Sequence, residues 1–107
     1  MPAKDAYRYP AFAGWRQTAE ASDSPWLIFS TKYGLIDPGQ LIANYDRGTS
    51  DARKDPEFRT MVVDQAGEAL AGASEIVVLG SENHAILNLL RDVLPERAHQ
   101  MRLEPVG

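Results

Sequence analysis

The run Trp26-Leu27-Ile28-Phe29 decides the fold, because it is continuous, apolar and bounded by turn-forming residues. A run this short, with no alternation of apolar and polar residues, is typical of a strand buried on both faces, as in a parallel sheet. Residues 75–79, Glu-Ile-Val-Val-Leu, form a second such run, rich in β-branched side chains that favour strands. The two runs therefore predict two strands of a buried sheet.

Helices are predicted on either side of these runs. A helix over residues 10–21 begins with proline, which suits the first turn, and the turn-forming sequence after it stops it. A helix over residues 56–71 has Asp55 as its N-cap, and a helix over residues 82–94 ends before Pro95. The apolar face of the 56–71 helix consists, at helical spacing, of Phe58, Met61, Val62, Gln65, Ala66, Ala69 and Leu70.

This order of elements predicts an α/β fold. Strands that alternate with helices imply right-handed crossovers, and hence a small three-layer, Rossmann-like sandwich with a short, mainly parallel sheet flanked by helices. Residues 101–103 are predicted to be a short edge strand, and the 107 residues fit a single α/β domain. Such a small sheet leaves edges that need cover, from another copy of the chain in a homodimer or from a segment outside this sequence.

The composition limits the classes of function. The chain has no cysteine, which excludes thiolate sites, and its two histidines lack ligand spacing, so no metal site is predicted. There is no Walker loop and no G-x-G-x-x-G sequence, so no nucleotide cofactor is expected. Without a membrane-length apolar run or a signal sequence, we expect a soluble, cytoplasmic protein with no membrane partner. The net charge of −4 argues against non-specific coating of a nucleic-acid backbone.

The long connection after the first strand, residues 30–54, is the predicted functional region. Connections of this length in small domains tend to carry function or a short element of their own. Ser30, Lys32 and Tyr33 bring together a hydroxyl, an ammonium and a phenol, and Gly34 permits a turn or a close approach to a ligand. Lys32 is interpreted as a contact for phosphate or carboxylate, as a general acid or base if it is desolvated, or as a solvated lysine.

Further candidate ligand contacts lie later in the chain. Tyr45 and Asp46 are expected to fold back beside Lys32, although Tyr45 is equally interpreted as an aromatic residue that covers the core. Ser81 follows the second strand, at the edge where open α/β sheets bind ligands, and is interpreted as a ligand contact or as a helix N-cap. A hydrolase that uses Ser30 or His84 is disfavoured, because the sequence has no catalytic-triad pattern.

One part of the sequence resembles a known motif. Residues 27–38, Leu-Ile-Phe-Ser-Thr-Lys-Tyr-Gly-Leu-Ile-Asp-Pro, are followed by Ile42 and by Tyr45-Asp46. They are similar to the signature of a bacterial and phage domain family of unknown function. That signature consists of a hydrophobic strand, followed by S-A-K-Y-G-L-x-x-P and then by I-x-x-Y-D. More distantly, the chain resembles the YaaA peroxide-stress family and the uracil-DNA-glycosylase-like domain attached to enzymes that handle deazaguanine bases in tRNA.

The resemblance implies a three-layer α/β fold, a site at the Lys32-Tyr33-Gly34 loop and a role near nucleic acid or a modified nucleobase. Two departures from the family pattern matter. Thr31 stands where the family has a small residue, and the family's opening strand, a V-S-C-S/T-K-type segment expected before Tyr7, is absent. On this reading, half of any site at the strand ends is missing from the chain.

Two hypotheses follow. In the first, the domain binds or acts on a nucleobase-like or nucleic-acid ligand at the 30–46 loop, where Lys32 and Tyr33 contact the ligand and Asp46 orients Lys32. In the second, the domain is a non-catalytic interaction module that dimerises through its incomplete sheet or supports a partner protein. The residues leave open whether the first function includes catalysis.

Overall fold

The computed structural model describes residues 1–7, 10–43, 45–80 and 85–105. The helices are α1 (Ala3–Ala6), α2 (Pro10–Ala21), α3 (Thr49–Lys54), α4 (Pro56–Ala69), α5 (Ala85–Val93) and a 3₁₀ helix (Pro95–Gln100). The strands are β1 (Ile28–Ser30), β2 (Gly34–Ile36), β3 (Ile76–Gly80) and β4 (Met101–Pro105). The predicted mixture of helices and strands, an α/β fold, is therefore confirmed.

The helices lie where the sequence predicts them. The bounds of α2 are those expected, and α5 falls within the predicted third helix. In α4, the Oδ1 atom of Asp55 accepts hydrogen bonds from the N–H groups of Glu57 and Phe58 at 3.0 and 3.3 Å, so the predicted N-cap is confirmed. The helix ends at Ala69, slightly earlier than predicted, and Leu70 is its C-cap.

The first strand differs from the prediction in its pairing. β1 is followed by a tight turn and pairs antiparallel with β2, so that Ile28 lies opposite Ile36 and Ser30 opposite Gly34. The prediction of a loop over residues 34–36 is wrong. Three residues carry too little alternation to predict a strand, and contacts from a distant helix fix this one.

The rest of the long connection contains short elements of its own, as expected. Leu41 forms an antiparallel bridge with Pro2, and the N–H of Ala3 donates to the carbonyl of Gln40 at 2.8 Å. The first residues of the chain therefore cover the segment after the hairpin. α3 ends the connection and buries Ala52 completely.

β3 and β4 form a parallel pair, in which Ile76 lies opposite Met101 and Leu79 opposite Glu104. The predicted edge strand at 101–103 is confirmed and continues to Pro105. α5 and the 3₁₀ helix make the connection between these strands, as a parallel pair requires. α5 is strongly amphipathic and packs its buried side chains, Leu87, Leu89, Leu90 and Val93, into the core.

The described residues hold two sheets of two strands each instead of the single sheet that the sequence predicts. Two core clusters accompany them. One joins α3, α4, α5 and β4, and the other joins α1, α2 and the β1–β2 hairpin. No backbone pairing between described residues links the two sheets, so the three-layer, Rossmann-like arrangement stays a prediction.

Candidate functional site

Ser30 ends β1 and shapes the turn that follows it. Its side chain is 1% exposed, and its Oγ accepts hydrogen bonds from the N–H groups of Lys32 and Tyr33 at 3.1 and 3.0 Å. Serine hydroxyls that bond to the backbone of the following residues stabilise turns. This buried, occupied oxygen is not placed as a nucleophile, which counts further against the hydrolase hypothesis; a ligand contact at Ser30 stays a prediction.

Gly34 closes the turn because no other residue fits its place. Its φ is +76°, in the left-handed region that side chains with a Cβ disfavour. A Cβ added there would lie 2.2 Å from Oε1 of Gln65, a residue of α4. That Oε1 accepts from the N–H of Leu35 at 2.8 Å, and the Nε2 of the same side chain donates to the carbonyl of Tyr33 at 2.9 Å.

The two hydrogen bonds of Gln65 hold the hairpin onto α4. Sequence reasoning placed Gln65 only on the apolar face of its helix and missed this role. The available signal was a polar side chain among apolar neighbours, because a buried polar group on a helix face needs partners outside the helix. The glycine at position 34 therefore follows from the shape of the backbone, whereas Gln65 contacts only backbone atoms of Tyr33 and Leu35.

Three half-buried tyrosines, Tyr7, Tyr33 and Tyr45, form what we call the tyrosine cluster. The ring centroids of Tyr33 and Tyr45 lie 5.8 Å apart with their planes at 84°, and those of Tyr7 and Tyr45 lie 6.4 Å apart at 80°. The hydroxyls of Tyr7 and Tyr45 share a hydrogen bond of 2.7 Å. Edge-to-face contacts of this kind fix ring orientation, so the phenols form a pre-arranged aromatic surface.

Lys32 lies exposed at the tip of the turn, beside this cluster. Its Nζ is 5.3 Å from the centroid of the Tyr33 ring, within the range of a cation–π contact. Asp46 is exposed as well, and among the described residues no ion pair joins it to Lys32, so the structure does not bring these two side chains together as expected.

The segment around Tyr45, residues 45–47, is fixed by contacts with the hairpin turn and with the start of α4. The hydroxyl of Thr31 donates to the backbone carbonyl of Arg47. The Arg47 guanidinium pairs with Asp55 at 2.8 Å and lies 5.3 Å from the centroid of the Phe58 ring. Thr31 thus ties the hairpin turn to the tyrosine segment, and Arg47 ties that segment to the start of α4.

Arg47 also changes the acid–base behaviour of the helix cap. The hydrogen bond from its guanidinium, followed by those from the backbone N–H groups of Phe58 and Glu57, holds the pKa of the Asp55 carboxyl below its usual range, against the opposing effect of desolvation. The charged form of Asp55 is thus favoured in the folded state. Its contribution to stability must depend on pH.

We expect Asp55 to stabilise the domain at neutral pH and to lose that effect in acid. Because the folded-state pKa is depressed, the contribution is complete above the unfolded-state value of about 3.9 and disappears as the pH falls through the folded-state value. Urea unfolding of the wild type and Asp55→Asn between neutral pH and pH ~3 measures it. The stability difference should shrink in acid, whereas Asp64→Asn, on an exposed position of α4, should give a small difference throughout. A difference for Asp55→Asn that stays constant with pH would contradict this assignment.

A cavity of about 1360 Å³ lies between the hairpin, α2 and the β3–β4 pair. Its walls are largely apolar, and its lining includes Tyr7, Tyr45 and Asp46, whereas Lys32 and Tyr33 are not part of it. Tyr45 therefore lines the cavity and also contacts the Tyr33 ring, so the candidate site and the cavity share this residue.

Ser81 and His84 lie outside the described residues, so the predictions for them stay predictions. Within the described ranges, no group of three or more histidine, cysteine or acidic residues is arranged to hold a metal ion. No helix in those ranges has the length and hydropathy needed to cross a bilayer.

The comparison with known families covers nearly the whole chain. A family model described as a family of unknown function (DUF6884) matches residues 1–105. The chain belongs to this family. The matched residues include the hairpin, the tyrosine cluster and both sheets. No curated protein and no solved structure matches the chain. Membership of a family of unknown function is thus confirmed, while the likeness to the YaaA family and to uracil-DNA-glycosylase-like domains stays a prediction.

Proposed function

We propose that this DUF6884 domain binds a nucleobase-like ligand or a short single-stranded nucleic acid at the surface formed by Lys32, Tyr33 and Tyr45. The observation that carries the proposal is the exposed Lys32 ammonium, 5.3 Å from the centre of a half-buried tyrosine ring that itself contacts a second tyrosine. Aromatic faces next to a cation are the combination that single-stranded nucleic acids use for stacking and backbone contact.

The contacts of Lys32 are easily exchanged for contacts with a ligand. At an exposed site a cation–π contact is worth about 0.5–1 kcal/mol. A charge-assisted hydrogen bond to a phosphate oxygen is roughly twice as strong as a neutral one, and stacking of a base on an aromatic ring contributes about 1–3 kcal/mol. A nucleotide that stacks on the tyrosine rings and draws the ammonium to its phosphate therefore gains more than it displaces.

The charge distribution supports a small ligand. Among the described residues Lys32 forms no ion pair, whereas many of the arginines are paired with carboxylates: Arg16, Arg47, Arg53, Arg59 and Arg102. The whole chain has a net charge of −4. An exposed lysine without an ion pair, on an acidic protein, suits one or two phosphates and does not suit a long duplex, whose binding depends on many neutralised phosphates.

The geometry supports binding. The Ser30 hydroxyl is buried and accepts two backbone hydrogen bonds in the turn, and Lys32 is exposed. The alternative function, a non-catalytic interaction module, is favoured by a different observation: among the described residues, β1 pairs only with β2 and β3 only with β4.

Replacement of Lys32 by alanine tests the proposal. We expect Lys32→Ala to weaken binding of a fluorescently labelled thymidine hexanucleotide and to reduce the slope of log affinity against log salt by about one, because one phosphate contact is lost. Tyr45→Leu should instead cost about 1–3 kcal/mol of binding free energy with the salt slope unchanged. Fluorescence anisotropy at a series of salt concentrations measures both quantities.

The matched control is Lys54→Ala, which removes an exposed lysine at the end of α3 and should leave affinity and salt slope near those of the wild type. Equal effects of the two lysine substitutions would mean that only net charge matters and would refute the proposed site. Undetectable binding of the hexanucleotide and of thymidine monophosphate by the wild type would refute it as well.

A further inference from the structure

Tyr7 is held beside the candidate site by the short helix that precedes it. Ala3 of α1 is fully buried, and the N–H of Lys4 donates to the carbonyl of Pro38 at 2.9 Å. The Arg16 guanidinium of α2 donates to the carbonyl of Lys4 at 3.0 Å. Because α1 is thus bonded both to the segment after the hairpin and to α2, the residue that follows it, Tyr7, has a defined place in the fold.

The Tyr7 side chain contacts Tyr45 through both its ring and its hydroxyl. The two hydroxyl oxygens lie 2.7 Å apart, the usual length of an O–H···O hydrogen bond, and the two rings meet edge to face. The centroid of the Tyr7 ring also lies 5.1 Å from that of Phe12. Since Phe12 is 8% exposed and belongs to a core cluster, Tyr7 connects Tyr45 to the packed interior.

The orientation of the Tyr45 ring depends on such contacts, because Tyr45 lies outside the helices and strands and is only half buried. Among the described residues, the bond to Tyr7 is the one hydrogen bond of the Tyr45 side chain. A side chain that can change rotamer has to be immobilised when a ligand binds, which costs binding free energy. A hydrogen bond that holds the ring in place before the ligand arrives removes this cost.

We propose that Tyr7 is a positioning residue of the nucleotide site, which holds the Tyr45 ring in the orientation that stacks on a base. This role rests on the nucleotide site proposed above. Tyr7 acts through Tyr45, by the hydrogen bond between their hydroxyls, and has no ligand contact of its own in this assignment. The site is then built from three separate parts of the chain: the segment that ends at Tyr7, the hairpin turn and the segment around Tyr45.

Tyr7→Phe tests this role, because it removes the hydroxyl and keeps the ring. We expect binding of the labelled thymidine hexanucleotide to weaken by about twofold to tenfold, since the ligand must then order the Tyr45 ring itself. The slope of log affinity against log salt should stay that of the wild type, because Lys32 keeps its phosphate contact. The matched control is Thr18→Val, which removes a half-buried hydroxyl that donates to the carbonyl of Gly14 within α2 and should leave the affinity unchanged.

Combination with Tyr45→Phe shows whether Tyr7 acts through Tyr45. Tyr45→Phe removes the other half of the same hydrogen bond, so Tyr7→Phe should cause no further loss of affinity in that background. Losses that multiply in the double variant, wild-type affinity in Tyr7→Phe, or an equal loss in Thr18→Val would overturn the positioning role. Binding that is lost in Lys32→Ala but unchanged in Tyr7→Phe refutes the role of Tyr7 alone, whereas a wild type that does not bind refutes the nucleotide site and this role with it.

Discussion

Gly34→Ala is expected to destabilise the domain by about 2–4 kcal/mol, which is a large part of the stability of a small domain. The left-handed φ of +76° alone costs an alanine about 1–2 kcal/mol. The new Cβ also meets the Gln65 side chain, which can move away only by giving up its hydrogen bonds to the hairpin. The substitution therefore weakens the contact between Gln65 and the hairpin, which orients the turn that carries Lys32.

Urea unfolding followed by circular dichroism measures the change, and Gly67→Ala is its matched control. Gly67 lies in the same helix as Gln65, is exposed and has open space around its Cα. Alanine there should stabilise the helix by about 0.5–1 kcal/mol, so the two glycine substitutions should have opposite signs. A Gly34→Ala variant as stable as the wild type would show that Gln65 does not hold the hairpin in solution.

A double-mutant cycle separates the two contributions to the destabilisation by Gly34→Ala, which are the backbone strain and the clash with Gln65. In a Gln65→Ala background the added methyl group of Gly34→Ala no longer meets a side-chain oxygen, so only the backbone strain of about 1–2 kcal/mol should remain. Strictly additive effects would mean that the two residues do not interact.

Phe58→Ala is expected to cost about 3–5 kcal/mol, the largest effect of any substitution considered. The Phe58 ring is 3% exposed, and its centroid lies 6.1 Å from that of Phe29 in β1. The same ring supports the Arg47 guanidinium. One side chain thus joins the hairpin, the tyrosine segment and the start of α4, and its loss leaves a cavity that these elements fill only in part.

Thermal and urea unfolding test this prediction, with Val63→Ala as the control on the exposed side of α4. Val63 is 48% exposed, and surface substitutions of this kind usually change stability by less than about 0.5 kcal/mol. Similar losses for the two variants would contradict the central packing position of Phe58.

The sequence predicts those parts of the fold whose causes are local. The bounds of α2 follow from a proline at its start and turn residues at its end, and Asp55 before Pro56 is a capping signal read within four residues. The run at residues 75–79 predicts a strand in the same way, but the predicted burial on both faces is wrong, since Val77 is 40% exposed. Each of these elements is determined by neighbours in the chain.

The parts that sequence reasoning misses depend on distant residues. β2 is held by Gln65, thirty positions further along, which accepts a hydrogen bond from the N–H of Leu35. The Tyr7 contact with Tyr45 spans 38 positions, so no local pattern predicted Tyr7 beside the candidate site. The structure gives Ser30 and Gly34, within the predicted motif, a role in backbone geometry, and the predicted role of the motif in ligand binding stays a prediction.

The residues of the candidate site divide into those that shape the turn and those that the turn exposes for binding. Ser30 and Gly34 build the turn, whereas Lys32 is the exposed charge that the turn presents, with Tyr33 and Tyr45 beside it. Variants of Ser30 and Gly34 are expected to lose binding because the folded domain is less stable. Variants of Lys32 should lose binding with stability unchanged, so Lys32 gives the cleaner test of the nucleotide site.

The most direct test is an NMR amide-shift titration of the wild type and Lys32→Ala with thymidine monophosphate and a thymidine hexanucleotide. The proposal predicts shifts in the wild type that are concentrated in residues 30–46 and lost in the variant, whose remaining spectrum stays that of the folded protein. Shifts that persist in Lys32→Ala, or a well-folded wild type that does not respond to either ligand, would contradict the nucleotide site.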